Sequence, residues 1–173
     1  FTEFENIIGH NSYDVVILDD VTEGAAQTIL QAKDLINDDI PLMTMNSDQL
    51  VDWDVERLFE MCEQFDGVIP CFYGEGNAWS YARTLDNGYV QEVAEKKQIS
   101  NTATAGYYYW KKGSDFVKYA EQMIEDNSRT NGEFYVAPVY NWAVLDGKRI
   151  GVFMVDKCYS LGTPEDLKEY LNG

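Results

Sequence analysis

The residues best suited to chemistry lie where apolar runs give way to polar ones. In PLMTMNSDQLVDWD (residues 41–54), a short strand-forming run passes directly into Asn46, Ser47, Asp48 and Gln49. A carboxylate there has two readings. It opens a turn by bonding backbone amides, or it is a hard oxygen ligand for magnesium at the carboxyl end of an α/β sheet. Spacing alone leaves both open. In VTEGAAQ (residues 21–27), Glu23, Gly24 and Ala25 stand at the start of a helix. Small residues there either allow close packing or let a flat ligand such as a nucleobase approach the backbone. AEKK (residues 94–97) holds Glu95 and Lys96 at the end of a hairpin. On a regular strand the two point to opposite faces. On a strand that bulges or stops, both can reach a cleft, the carboxylate toward sugar hydroxyls and the ammonium toward a phosphate. In NGEFYVAP (residues 131–138), Glu133 follows a glycine turn and reads as an acid in the first turn of a helix.

Elements must position these groups. Strands are predicted over residues 14–18 (DVVIL), 41–45 and 67–72, alternating with helices. The first helix has Thr22 as N-cap and an apolar stripe from Ala25 to Ile36; the second covers residues 55–64 with Asp52 or Asp54 as cap. Such alternation implies a mainly parallel sheet. The second half differs. Asp86-Asn87-Gly88 marks a hairpin over residues 79–96, followed by a strand over 103–110 and a helix from Ser114 to about Glu125. A helix over residues 134–145, a strand over 149–155 and a final helix opened by Thr163 and Pro164 complete the pattern. The expectation is one α/β domain over residues 1–173 with an antiparallel hairpin insertion. The opening residues, FTEFENIIG, show helical spacing of their own.

Thirty acidic against thirteen basic residues give a net charge of −17, which opposes binding to nucleic acid and to anionic membranes. A divalent cation and local lysines can still reverse the field inside a cleft, so a small anionic ligand stays open. Nothing approaches the run of about 20 apolar residues that spans a bilayer, and a soluble cytoplasmic protein is expected. Three cysteines and one histidine offer neither a disulfide scaffold nor a structural zinc site.

Six segments in order, TEGAAQTIL, PLMTMNSDQLVDWD, DNGYVQEVAEKK, ATAGYYYWKKGSDF, NGEFYVAPVYN and LGTPEDL, resemble the sugar-1-phosphate nucleotidyltransferases, the nucleotide-sugar pyrophosphorylases. The capsule and surface-polysaccharide branch is the most similar. The resemblance implies a Rossmann-like, glycosyltransferase-A-like sheet and attack by a sugar 1-phosphate on the α-phosphorus of a nucleoside triphosphate, releasing pyrophosphate. It places Glu23, Gly24 and Ala25 against the nucleobase, and makes Asp48 the catalytic Mg2+ ligand. Glu95 would bond sugar hydroxyls, and Lys96 would act catalytically on the sugar phosphate. Gly106 would leave room for the sugar ring and Glu133 would touch it or brace the pocket. Two departures stand out. The family's first strand, with its Gly-rich loop, arginine and Lys-Pro, is absent, so an N-terminally truncated domain with little or no activity is expected. Ser160 in CYSLGTP stands where many members carry a second metal-binding Asp. A non-catalytic nucleotide-sugar-binding or regulatory module and a glycosyltransferase with a related sheet remain as rivals. The Tyr107, Tyr108, Tyr109, Trp110 run suits either a core or an interface, and exposed apolar surface predicts a homo-oligomer.

Overall fold

A computed structural model describes residues 13–172, so the helical spacing of residues 1–8 lies outside the described part. The larger of two sheets is built around β3 (Gly67–Tyr73), whose first five residues are buried. A strand covered on both faces reads as a continuous apolar run, as GVIPC does. One edge of β3 pairs in parallel with β8 (Ile150–Met154). The other pairs antiparallel with β6 (Thr102–Thr104) and β7 (Tyr107–Trp110). These two are the predicted strand over residues 103–110, broken at Gly106, whose φ of +76° takes the chain out of the pleat. Beyond the break the halves diverge. β6 leads to the hairpin of β4 (Ser80–Thr84) and β5 (Val90–Glu95), while β7 pairs with β1 (Leu42–Met45).

The α/β class expected from the sequence is the one observed, but pairing departs from a mainly parallel sheet. Among the described residues β3 with β8 is the parallel pair, and every other strand pair is antiparallel. Residues 14–18 do not form the predicted strand. The β-branched run has no partner strand among the described residues, and Ile17 is 75% exposed. A smaller sheet of β2 (Gln49–Asp52) and β9 (Lys157–Ser160) was not foreseen. Its strands are four residues each, and Gln49 finds its partner at Ser160.

The first helix is two short ones, α1 (Ala25–Leu30) and α2 (Lys33–Ile36). Between them Gln31 N bonds Thr28 O and Ala32 N bonds Ile29 O, a tightened turn that ends the first before the second begins. The N-cap of α1 is Gly24 rather than Thr22. α3 (Val55–Gln64) is as expected, with Asp54 Oδ1 accepting from Arg57 N at 3.1 Å. α4 (Gly113–Glu125) starts at Lys112 rather than Ser114. Carbonyls of the loop between α2 and β1 satisfy its first amides, Gly113 N to Ile40 O and Ser114 N to Asp38 O, both at 2.9 Å. In place of a helix over residues 134–145, a 3₁₀ turn (Ala137–Val139) leads into α5 (Tyr140–Leu145). Glu133 therefore stands outside any helix, in a bridge with Thr130. α6 (Pro164–Asn172) opens with a reciprocal cap, Asp166 N to Thr163 Oγ1 and Thr163 N to Asp166 Oδ2, each 3.1 Å.

The aromatic run of β7 alternates faces, as strand geometry requires. Tyr108 and Trp110 enter the cluster under α4 and α5, where Trp110 stacks on Tyr140 with ring centroids 4.1 Å apart. Tyr109 enters the opposite cluster with Leu58, Val68 and Phe153. These three side chains are core. All three cysteines are free, and no described helix is long and apolar enough to cross a membrane.

Candidate active site

A cavity of about 120 Å³ opens where the broken strand, the hairpin and the segment after Phe134 meet. Register builds its first wall. Ser80 on β4 lies opposite Glu95 on β5, and the Ser80 hydroxyl donates to the Glu95 carboxylate. Burial pushes the Glu95 carboxyl above its ordinary value, and Glu133 adds to this. Ser80 and Lys96 act in the opposite sense. At the next residue the strand stops, for Lys96 adopts a left-handed φ of +52°. A non-glycine residue accepts that at a cost of about 1–2 kcal/mol. The turn breaks the alternation that would send Lys96 away from Glu95. Its Nζ instead donates to the Tyr135 hydroxyl at 2.6 Å and lies 4.8 Å from the ring centre. That bond leads the causes that hold the ammonium above its ordinary pKa. Of the two sequence-level readings of Glu95-Lys96, the stopped strand is the one observed.

The break at Gly106 builds the opposite wall. A Cβ on Gly106 would lie 1.4 Å from Gln49 Oε1, so the glutamine side chain occupies the space a larger residue would need. Asn46 braces it, donating from Nδ2 to Gln49 Oε1 at 3.3 Å and from its backbone N to Gly106 O at 2.9 Å. Asn46, Gln49, Trp79, Ser80 and Tyr135 line the cavity with Ala25, Glu95 and Gly106. Sequence reading gave none of the first five a role. Asn46 and Gln49 were signalled by their place in NSDQ, while Ser80 becomes visible only through hairpin register.

Of the two readings of Gly24, the structure shows the close packing, against the Phe134 backbone. Phe134 N donates to Glu23 O at 2.8 Å and Ala26 N to Phe134 O at 3.0 Å, clasping the loop onto Phe134. A Cβ on Gly24 would lie 2.5 Å from both Phe134 N and Phe134 O. The clasp presents Ala25 to the cavity. Glu23 turns away, pairing with Arg129 at 3.0 Å, and that guanidinium lies 3.9 Å over the Phe134 ring.

Asp48 sits in the turn between β1 and β2, beside the cavity wall but not in it. Among the described residues its side chain makes no hydrogen bond or ion pair, so it does not cap the turn. Its Oδ2 and Ser160 Oγ lie on the same side of Gly162, 2.9 and 3.8 Å from where a Cβ would be. Ser160 Oγ in turn donates to Asp166 Oδ2 at 3.0 Å. Ser160 and Asp166 line a second cavity of about 700 Å³ that shares the Trp79 wall with the first. Among the described residues no three His, Cys, Asp or Glu side chains are grouped to hold a metal. The structure thus gathers Ala25, Glu95 and Gly106 on one cavity, with Lys96 and Glu133 near enough to Glu95 to act on it through space. Glu23, Gly24 and Asp48 stay outside its lining.

The mixed α/β sheet with its hairpin has the fold of solved nucleotide-sugar pyrophosphorylases. The chain is similar to a nucleoside-diphosphate-sugar pyrophosphorylase from Vibrio cholerae RC9, with a TM-score of 0.82 at 22% identity over 99% of this chain and 74% of that one. It is similar to a UDP-glucose pyrophosphorylase solved with UDP-glucose, with a TM-score of 0.70 at 17% identity over 87% of this chain and 61% of that one. No curated protein matches it. Residues 4–170 match the nucleotidyl transferase family, and the chain belongs to that family.

Proposed function

We propose that the cavity between the hairpin and the broken strand receives the sugar of a sugar 1-phosphate. The reaction is nucleotidyl transfer from a nucleoside triphosphate, giving a nucleotide sugar for surface-polysaccharide synthesis. The observation that carries this reading is the left-handed Lys96, whose ammonium is held on the cavity-lining Tyr135 near the half-buried carboxylate of Glu95. Glu95 accepts from sugar hydroxyls and Lys96 donates to the phosphate, a charge-assisted bond. Gly106 and Gln49 bound the ring, and Ala25 presents backbone to the base. Transfer of this kind depends on placing the two phosphates and neutralising charge rather than on a covalent intermediate.

The chain's own donor set fits magnesium better than zinc. Asp48 offers an unengaged carboxylate with only a hydroxyl nearby, and magnesium takes one or two carboxylates with substrate phosphates and water. Asp48 would hold it, with Ser160 reaching it through water, and the ion would supply charge neutralisation at the triphosphate.

Pyrophosphate release over a panel of triphosphates and sugar 1-phosphates tests the reading. Turnover with one pair is expected; no turnover with any pair overturns it. A non-catalytic nucleotide-sugar-binding module is favoured by one observation: Ser160 is committed to Asp166 at the cap of α6. It predicts binding of the nucleotide sugar without turnover.

A further inference from the structure

In this acidic chain the cations near carboxylates are mostly paired with them, as in Lys33 with Glu121, Arg129 with Glu23 and Lys148 with Asp115. Lys96 is held differently. Its hydrogen-bond partner is the uncharged phenol of Tyr135, and Glu95 and Glu133 act on it only through space. A carboxylate partner would cancel the charge. A phenol fixes the ammonium and leaves the charge for a ligand. By accepting from Lys96, the Tyr135 oxygen leaves its own O–H as a donor, and among the described residues that O–H has no acceptor. Tyr135 lines the cavity, and the preceding residue is clasped from both sides by the Glu23 to Ala26 loop, which fixes where the ring stands.

We propose that Tyr135 is the positioning residue of this site, holding the Lys96 ammonium at the cavity mouth so that the ammonium receives the phosphoryl group of the ligand. The assignment rests on the sugar-phosphate reading above and adds a residue to it. It also explains why Lys96 tolerates a left-handed backbone, since a regular strand would carry the ammonium away from Tyr135.

The test uses glucose 1-phosphate and glucose as probes, titrated calorimetrically into wild type, Tyr135→Phe, Lys96→Met and the double variant. Tyr135→Phe keeps the ring and removes only the hydroxyl. Affinity for glucose 1-phosphate should fall about tenfold or more, the range for a lost bond to a charged group. Affinity for glucose should not change, and the double variant should bind no more weakly than Lys96→Met. Equal losses for both sugars, or additive losses in the double variant, would overturn the assignment. The 15N resonance of the Lys96 ammonium gives a reading that needs no ligand. It should titrate at lower pH in Tyr135→Phe, and an unchanged titration refutes the contact. If wild type binds neither probe while the resonance shifts as expected, the sugar-phosphate reading fails and the contact stands.

Discussion

Gly24→Ala is the substitution whose cost can be worked most directly from geometry. The added methyl would lie 2.5 Å from Phe134 N and O and 2.9 Å from Phe134 C. Backbone atoms cannot rotate aside, so the loop must leave Phe134. The bonds of 2.8 Å and 3.0 Å that clasp it are then lost. Each is worth about 1 kcal/mol net. Gly24 also has φ +136° and ψ 170°, a region open essentially to glycine, which adds roughly 1–3 kcal/mol. The sum, about 3–5 kcal/mol, is a large share of the 5–15 kcal/mol typical of a domain and corresponds to a Tm lower by roughly 10 °C. Gly147→Ala is the control, because Gly147 has φ +79° and open space where the methyl would go. It should lose only about 1 kcal/mol from backbone strain. Thermal and urea unfolding of the two variants isolate the clash. If Gly24→Ala unfolds no earlier than Gly147→Ala, the clasp does not hold the loop as described.

Gly106→Ala should lose less stability, about 1–2 kcal/mol for a left-handed alanine, because its clash is with the movable end of Gln49. The displaced Gln49 should nonetheless weaken sugar-phosphate binding, a split seen by comparing urea midpoints with calorimetry. Asp54→Ala removes the cap of α3 and should cost about 1 kcal/mol in urea unfolding. Glu95 gives a pH signature. Its folded pKa lies above the ordinary 4.5, so its contribution is fully present below that value and is lost as pH rises through the folded pKa. The stability difference between Glu95→Gln and wild type should therefore grow in favour of the variant as pH rises above about 4.5. A difference that is flat with pH would place Glu95 in water.

Periodicity made the regular elements legible. Helix α3 with its Asp54 cap, the hairpin around Asp86-Asn87-Gly88 and the Thr163-Pro164 start of α6 all follow from local rules. What local rules could not supply was pairing over distance. DVVIL has the composition of a strand but no partner among the described residues, whereas QLVD lacks the pattern and pairs with KCYS far along the chain. The site divides in the same way. Glu95 was legible from strand-end chemistry and Ala25 from its place at a helix start, Gly106 entered through the family resemblance, and the three meet on one cavity. Ser80 and Tyr135 were not legible, because register and a clasp place them. Gly24 and Glu23 hold Phe134 and Arg129, contacts between distant segments that spacing does not reveal.

The central claim is that the cavity binds a phosphorylated sugar through Glu95 and Lys96. Its most direct test is the tryptophan fluorescence of Trp79, which lines the cavity, titrated with a panel of hexose 1-phosphates and the matching free hexoses. At least one hexose 1-phosphate should saturate the signal at a concentration well below its free hexose, and Lys96→Met should erase the difference. Equal response to phosphorylated and free sugars, or none to any member of the panel, would contradict the claim.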